Sequence, residues 1–156
     1  ILAFSEVLKT YPSATMFIGG RGGEETRLKK MVNDLDITDR VMFLGFIPDD
    51  DLLDYYSSAD VFLSLDWADY NITVYEAISA GTKVVVSEEG EFDHELIGAG
   101  YIFRVNPKDI EAITQAIIKS QTVGEKLSND HVERLLMPYT WTEYCKKIAD
   151  IHGFRL

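Results

Sequence analysis

Cysteine is nearly absent from the sequence, with Cys145 the single one among 156 residues. A lone cysteine excludes a disulfide framework and a cysteine metal site, and it favours a reducing, cytoplasmic setting. No apolar run approaches the roughly 18 consecutive residues of a membrane span. No basic, apolar signal sequence opens the chain either. We therefore expect a cytoplasmic protein without a transmembrane segment.

Positive charge is also scarce, because 15 lysines and arginines face 26 aspartates and glutamates, a net charge of −11. A general nucleic-acid or membrane surface is excluded, since phosphate contacts need clustered Lys and Arg. A small anionic ligand is not excluded. It would need local donors, from a helix N-terminus or a few arginines.

Apolar runs of strand length alternate with helical patterns along the chain. Strands are predicted at 15–18, 41–44, 61–65, 83–87 and 101–105. Helices are predicted at the start of the chain and at about 24–35, 48–56, 72–80, 108–121, 124–136 and 141–152, and His94 falls on a loop. This alternation predicts an α/β fold of the doubly wound, Rossmann-like kind. We expect a mostly parallel sheet of about five strands with helices on both faces.

The length and the 46% hydrophobic content fit one domain over residues 1–156, closed by C-terminal helices within 123–156. In open parallel sheets, ligands bind beyond the carboxyl ends of the strands. Here those ends are followed by four loops, at 19–23, 45–48, 66–71 and 87–92. The topology predicts that all four converge on one crevice.

A glycine cluster at 19–23 follows the first predicted strand and precedes a helix. It is either a phosphate cradle or a tight turn that needs positive φ. The third glycine of a dinucleotide fingerprint is missing, and no Gly-Lys-Ser/Thr follows as in a P-loop. Arg21 either meets a phosphate or lies in solvent.

The stretch 66–81 leaves a buried strand and enters a helix near Asn71 to Thr73. Free backbone N–H groups at that helix start would face a ligand anion. Glu76 lies one turn inside, where a carboxylate can accept two hydrogen bonds from a vicinal diol such as a ribose. The alternative is that Asn71 merely caps the helix and Glu76 is solvated.

Four motifs in order carry a resemblance to a known family. They are Phe17-Ile18-Gly19-Gly20, the segment 40–48 (RVMFLGFIP), the segment 53–63 (LDYYSSADVFL) and the segment 75–85 (YEAISAGTKVV). The sequence resembles the C-terminal, nucleotide-sugar-binding half of a GT-B glycosyltransferase of the retaining group called family four or group 1. The resemblance runs over about residues 1–122, and the Trp141 helix also suits the family's C-terminal tail.

The resemblance implies a set of donor-binding residues, namely Gly19, Gly20, Phe46, Ile47, Asn71, Ile72, Thr73 and Glu76. The interpretation of the glycine cluster as a phosphate cradle adds Arg21 to this set. In the family, Glu76 matches the second glutamate of a Glu-x7-Glu motif and holds the ribose. Residues 71–73 match backbone donors to the diphosphate, and residues 46–47 border the base. The nucleotide-diphosphate sugar is a substrate, so we expect no cofactor and no metal ion.

The sequence departs from the family at the sugar contact, because the first glutamate of the motif falls at Ala68. Asp66 or Asp69 substitutes for it through a shifted loop, or the sugar contact is lost. Asp69 and Asn71 also stand where the family has glycines. The second hypothesis is therefore a non-catalytic nucleotide- or sugar-binding, or regulatory, module of the same fold.

The family's opening strand, which lies in the middle of the sheet, has no counterpart in this sequence. We expect the chain to be a piece of a longer protein, inactive alone, whose N-terminal domain binds the acceptor. Either the sheet is rearranged, or another segment or another chain of an oligomer fills the gap. Pairing of the 15–18 strand directly with the 61–65 strand would refute the gap.

Overall fold

A computed structural model describes residues 1–66, 72–92, 94–123 and 129–152. Its helices are α1 Leu2–Thr10, α2 Glu25–Asp34, α3 Asp49–Ser58, α4 Ile72–Ser79, α5 His94–Gly98, α6 Ile110–Thr122, α7 Asn129–Leu136 and α8 Trp141–His152. Its strands are β1 Met16–Gly19, β2 Val41–Gly45, β3 Val61–Ser64, β4 Lys83–Ser87 and β5 Ile102–Val105. Short 3-10 turns cover Thr38–Arg40 and Met137–Tyr139.

The predicted alternation of strands and helices is confirmed, with boundaries shifted by a residue or two. The start of the helix predicted at about 124 lies outside the described residues. One assignment was wrong, because His94 opens helix α5 instead of lying on a loop. That helix has five residues, too few for a 3.6-residue periodicity to show in the sequence. Within the described ranges, no helix is long and apolar enough to cross a membrane.

The described strands pair in parallel, as predicted, in two sheets. One sheet has the order β1-β2 and the other the order β3-β4-β5. Strand β4 lies between two neighbours, and Val84, Val85 and Val86 are 0% exposed. A parallel strand covered by helices on both faces buries every side chain, which is why its sequence is apolar throughout.

The described structure has no pairing between β1 and β3, so the predicted gap is confirmed. Both strands border one apolar cavity of about 260 Å³. Its lining includes Met16 of β1, Leu63 and Leu65 at β3, and Ile113 and Ile117 of α6. No predicted donor-site residue lines it. The space opens to solvent on one side, and we interpret it as the place of the central strand that the sequence resemblance leads us to expect.

The two sheets are joined by one apolar core. The buried residues of that core come from three helices and three strands on both sides of the gap, and include Phe4, Val32, Val41, Val85, Val105, Ile113 and Ile117. Helix α1 packs on α6, where the Thr114 hydroxyl donates to the Ala3 carbonyl at 3.4 Å. Side-chain packing therefore holds the two sheets together where no backbone hydrogen bonds between strands join them.

The gap makes a prediction about amide exchange. Each edge strand that faces the cavity has backbone groups without a strand partner, and such groups are protected less than a two-sided ladder. In the 156-residue chain we expect part of the β1 and β3 amides to exchange much faster than those of β4. Hydrogen-exchange mass spectrometry or NMR measures this.

The same measurement on a longer native chain tests what fills the gap. If the β1 and β3 amides are more protected in the longer chain than in the 156-residue chain, at every protein concentration, the added strand comes from the same chain. Protection that the 156-residue chain gains only as its concentration rises indicates a second copy. Equal protection of β1, β3 and β4 in the dilute 156-residue chain would mean that the gap closes in solution.

Candidate functional site

The carboxyl ends of β1 and β2 are tied together by backbone. The Gly20 N–H donates to the Gly45 carbonyl at 2.7 Å. Gly20 has φ +101° and Gly45 has φ +67°, a region that L-residues with side chains rarely adopt. The glycine cluster is thus a tight turn at Gly20, as one of its two interpretations predicted.

The side chain of Ile47 packs directly over that turn. A Cβ built on Gly19 would lie 2.7 Å from Ile47 Cδ1, so the absence of a side chain at position 19 lets Ile47 approach the strand end. The Arg21 side chain also lies beside this turn. Its Nε atom is 3.8 Å from the position that a Cβ on Gly45 would occupy. Phe46 is 65% exposed. The structure therefore brings the predicted residues of the β1 and β2 loops into one cluster.

Helix α4 carries the other predicted residues. Ile72 and Thr73 are exposed in its first turn, and Glu76 is half-buried. Positions three and four apart share one helix face, so Ile72, Thr73 and Glu76 lie along one stripe. The opposite stripe, Val74, Ala77 and Ile78, is fully buried. The predicted Asn71 and Asp69, and Ala68 as well, lie outside the described residues.

The Glu76 carboxylate has a partner that the sequence analysis did not identify. The Tyr56 hydroxyl of α3 donates a hydrogen bond to Glu76 Oε2 at 3.4 Å. Burial raises the pKa of Tyr56 above its ordinary value, and the charge of Glu76 and this hydrogen bond raise it further. Tyr56 is therefore a neutral donor at physiological pH.

Asp66 lies just beyond β3 and is exposed. Its Oδ1 accepts a hydrogen bond from the Ser64 hydroxyl at 2.7 Å. This contact turns the carboxylate back toward the end of its own strand. The structure gives it no contact with Glu76 or with the glycine turn.

Another set of contacts that the sequence analysis did not predict lies at the end of β4. The Arg104 guanidinium on β5 donates to the backbone carbonyls of Glu88 and Gly90. The Ser87 hydroxyl accepts from the Glu89 N–H at 3.2 Å. The 87–90 loop is thus fixed at the carboxyl edge of the sheet, where the topology predicts the crevice.

The predicted residues form two groups, one at the ends of β1 and β2 and one on α4. Helix α3 links them, because Tyr55 contacts the Phe17 ring of β1 edge-on at 6.3 Å. The next residue, Tyr56, contacts Glu76 of α4. Both groups lie at carboxyl ends of parallel strands.

Comparison with known families adds the decisive observation. Residues 1–130 match the family described as glycosyl transferases group 1. The chain belongs to this family. The expected resemblance is thereby confirmed, and the ordered motifs at 17–20, 40–48, 53–63 and 75–85 all lie within the match.

Curated relatives agree in family and differ in activity. An uncharacterized glycosyltransferase of Methanocaldococcus jannaschii is 27% identical over 97% of this chain and 40% of its own length. The mannosylfructose-phosphate synthase of Agrobacterium fabrum is 27% identical over 93% of this chain and 35% of its own length. The chain thus spans about two fifths of the length of these relatives.

Solved structures confirm the Rossmann-like fold of the GT-B glycosyltransferases. A sucrose-phosphate synthase from Thermosynechococcus elongatus has a TM-score of 0.76 at 22% identity, over 97% of this chain and 41% of its own. HepE of Anabaena, solved in complex with UDP, has a TM-score of 0.77 at 18% identity, over 97% and 44%. At these identities the likeness concerns the fold.

The backbone of Gly20 makes a testable prediction. Gly20→Ala keeps ample space, because nothing lies within 4 Å of the added Cβ, but it forces a side chain onto φ +101°. We expect a loss of about 1–2 kcal/mol in the free energy of unfolding. Gly22→Ala is the matched control, since its Cβ also meets nothing and its φ lies outside the left-handed region. Urea unfolding of both variants measures the difference, and equal stabilities would contradict it.

The raised pKa of Tyr56 makes a prediction about alkaline pH. The unfolded chain loses the tyrosine proton near pH 10, before the native chain does. The free energy of unfolding should therefore fall as pH rises from about 10 toward the higher native pKa. Tyr56→Phe should lack this part of the loss, while Tyr55→Phe should retain it. Urea unfolding from about pH 8 to about pH 11 measures the slopes, and identical slopes for the two variants would contradict the assignment.

Proposed function

We propose that this chain is the donor-binding domain of a glycosyltransferase that moves a sugar from a nucleotide-diphosphate sugar to an acceptor with retention. The observation that carries the proposal is the Glu76 carboxylate, half-buried, held by Tyr56, and on one helix face with Ile72 and Thr73. A fixed carboxylate can accept both hydroxyls of a ribose. The first turn of the same helix offers N–H donors to a diphosphate.

The sheet topology supports the same location. Strand order runs from β1 to β2 in one sheet and from β3 through β5 in the other. A reversal of strand order defines the switch point of a doubly wound fold, and ligands bind in the crevice outside the carboxyl ends there. At this switch point lie the Gly19–Gly20 turn and the first turn of α4, which begins at Ile72.

The chemistry expected of such a site is leaving-group stabilisation. As the glycosidic bond breaks, negative charge develops on the diphosphate, and fixed N–H dipoles and cations stabilise it. In this chain we assign that role to the N–H groups at 71–73 and to the exposed Arg21. The acidic net charge makes these local donors important, because the protein as a whole repels an anion.

The proposal includes a longer parent, since the chain spans about two fifths of its relatives. One further strand between β1 and β3, just before α1 in sequence, would become strand 1 of the order 3-2-1-4-5-6. That is the strand order of dinucleotide-binding Rossmann sheets. We propose that the parent supplies this strand and an N-terminal domain that binds the acceptor, and that the 156-residue chain alone transfers nothing.

A non-catalytic binding module is the second candidate. It is favoured by Ala68, which stands where the family carries a sugar-contacting glutamate. Under this alternative, Ala68→Glu in the parent should leave sugar transfer at background. A gain of transfer would favour the enzyme.

Replacing Glu76 tests the proposed donor site. Glu76→Gln in the full-length parent removes the charge and one acceptor, so we expect at least about tenfold weaker binding of UDP, GDP or ADP, whichever binds. Isothermal titration calorimetry measures the affinity. Glu133→Gln, on the exposed face of α7, is the matched control and should bind like the wild type. If the Glu76 variant binds the nucleotide as tightly as the wild type does, Glu76 is not the ribose ligand.

A further inference from the structure

We propose that Tyr56 is a positioning residue of the donor site, whose hydroxyl holds the Glu76 carboxylate in the orientation that reads a ribose diol. This inference rests on the proposed function of Glu76 and adds a second residue to it. It assigns to Tyr56 part of the preference for ribonucleotides over 2′-deoxyribonucleotides. The hydrogen bond from Tyr56 to Glu76 Oε2 at 3.4 Å is its starting observation.

Tyr56 is itself rigidly held. Its side chain is 7% exposed, and its ring meets Phe62 of β3 edge-on at 5.3 Å between centroids. Its carbonyl accepts a hydrogen bond from the buried Thr82 hydroxyl. The phenol oxygen therefore points from a fixed ring on a fixed backbone, and it can define the position of a mobile neighbour.

Glu76 is such a neighbour, because a half-buried glutamate on a helix samples several rotamers unless a contact selects one. An ionised carboxylate offers about four lone-pair sites, and Tyr56 uses one of them. Three remain for the two hydroxyl donors of a ribose. The tyrosine donates and does not ionise at physiological pH, since its environment raises its pKa.

Selection of one rotamer should matter most where two hydrogen bonds must form together. A ribose offers two hydroxyls to the carboxylate, whereas a 2′-deoxyribose offers one. Loss of the Tyr56 hydroxyl should therefore weaken a ribonucleotide more than its deoxy analogue. A role of Tyr56 in packing alone would weaken both nucleotides by the same factor.

The experiment compares Tyr56→Phe with the wild type in the full-length parent. The probes are the tightest binder among UDP, GDP and ADP, and its 2′-deoxy analogue, each titrated by calorimetry. We expect about fivefold to tenfold weaker binding of the ribonucleotide and less than about twofold weaker binding of the deoxy analogue. Tyr11→Phe, just after α1 and away from α3 and α4, also removes one tyrosine hydroxyl and should leave both affinities unchanged.

Two results for Tyr56→Phe would overturn the inference: equal weakening of both nucleotides, or no weakening of either. The proposed function stays intact in both cases if Glu76→Gln, tested separately, still loses ribonucleotide affinity. If Glu76→Gln leaves the ratio of the two affinities unchanged, the ribose assignment fails, and the inference fails with it. Should Tyr56→Phe not fold, Tyr56→Met provides the second variant. Its flexible apolar side chain fills the buried site without a hydroxyl, so it should lower the ratio of ribonucleotide affinity to 2′-deoxynucleotide affinity as well.

Discussion

The interrupted ladder between β1 and β3 is the constraint on which the described structure depends. With no strand pairing across that line, the two sheets keep their relative position through apolar packing under α1, α2 and α6. Packing is non-directional, whereas a ladder fixes register. The crevice that the topology predicts at the carboxyl edge of the strands would lie across this line. Its geometry therefore depends on whichever side-chain contacts cross it.

Helix α3 supplies contacts on both sides of the line. It begins after Pro48 with Asp49, Asp50 and Asp51 in its first turn, where acidic side chains stabilise the positive end of the helix dipole. At its other end, Tyr55 and Tyr56 point about 100° apart because they are successive residues of an α-helix. One contacts β1 and the other contacts β3 and α4. A shift of α3 would thus move both halves of the crevice.

Sequence patterns predicted the strands and most helices because each depends on local signals. The apolar run at 83–87 marks a doubly covered strand, and Gly81, with φ +80°, marks the turn after α4. The contacts of Glu76 were not predictable in the same way. Tyr56 precedes it by 20 residues, and no periodicity relates positions on two different helices. The clamp of Arg104 on the Gly90 carbonyl, 14 residues away, has the same character.

The position of Asp66 bears on the choice between an enzyme and a binding module. Ser64 holds its carboxylate at the end of β3, two residues before position 68, and two residues span at most about 7 Å. Ser64 uses one lone-pair site of this carboxylate, so the remaining sites stay open to a sugar hydroxyl if the loop after β3 brings Asp66 near it. A sugar contact from Asp69 instead would bring a further negative charge near the diphosphate. Such a site can bind its donor only if the N–H groups of α4 and Arg21 outweigh that repulsion, so the cationic and dipolar contacts, more than the acids, decide whether this domain supports transfer.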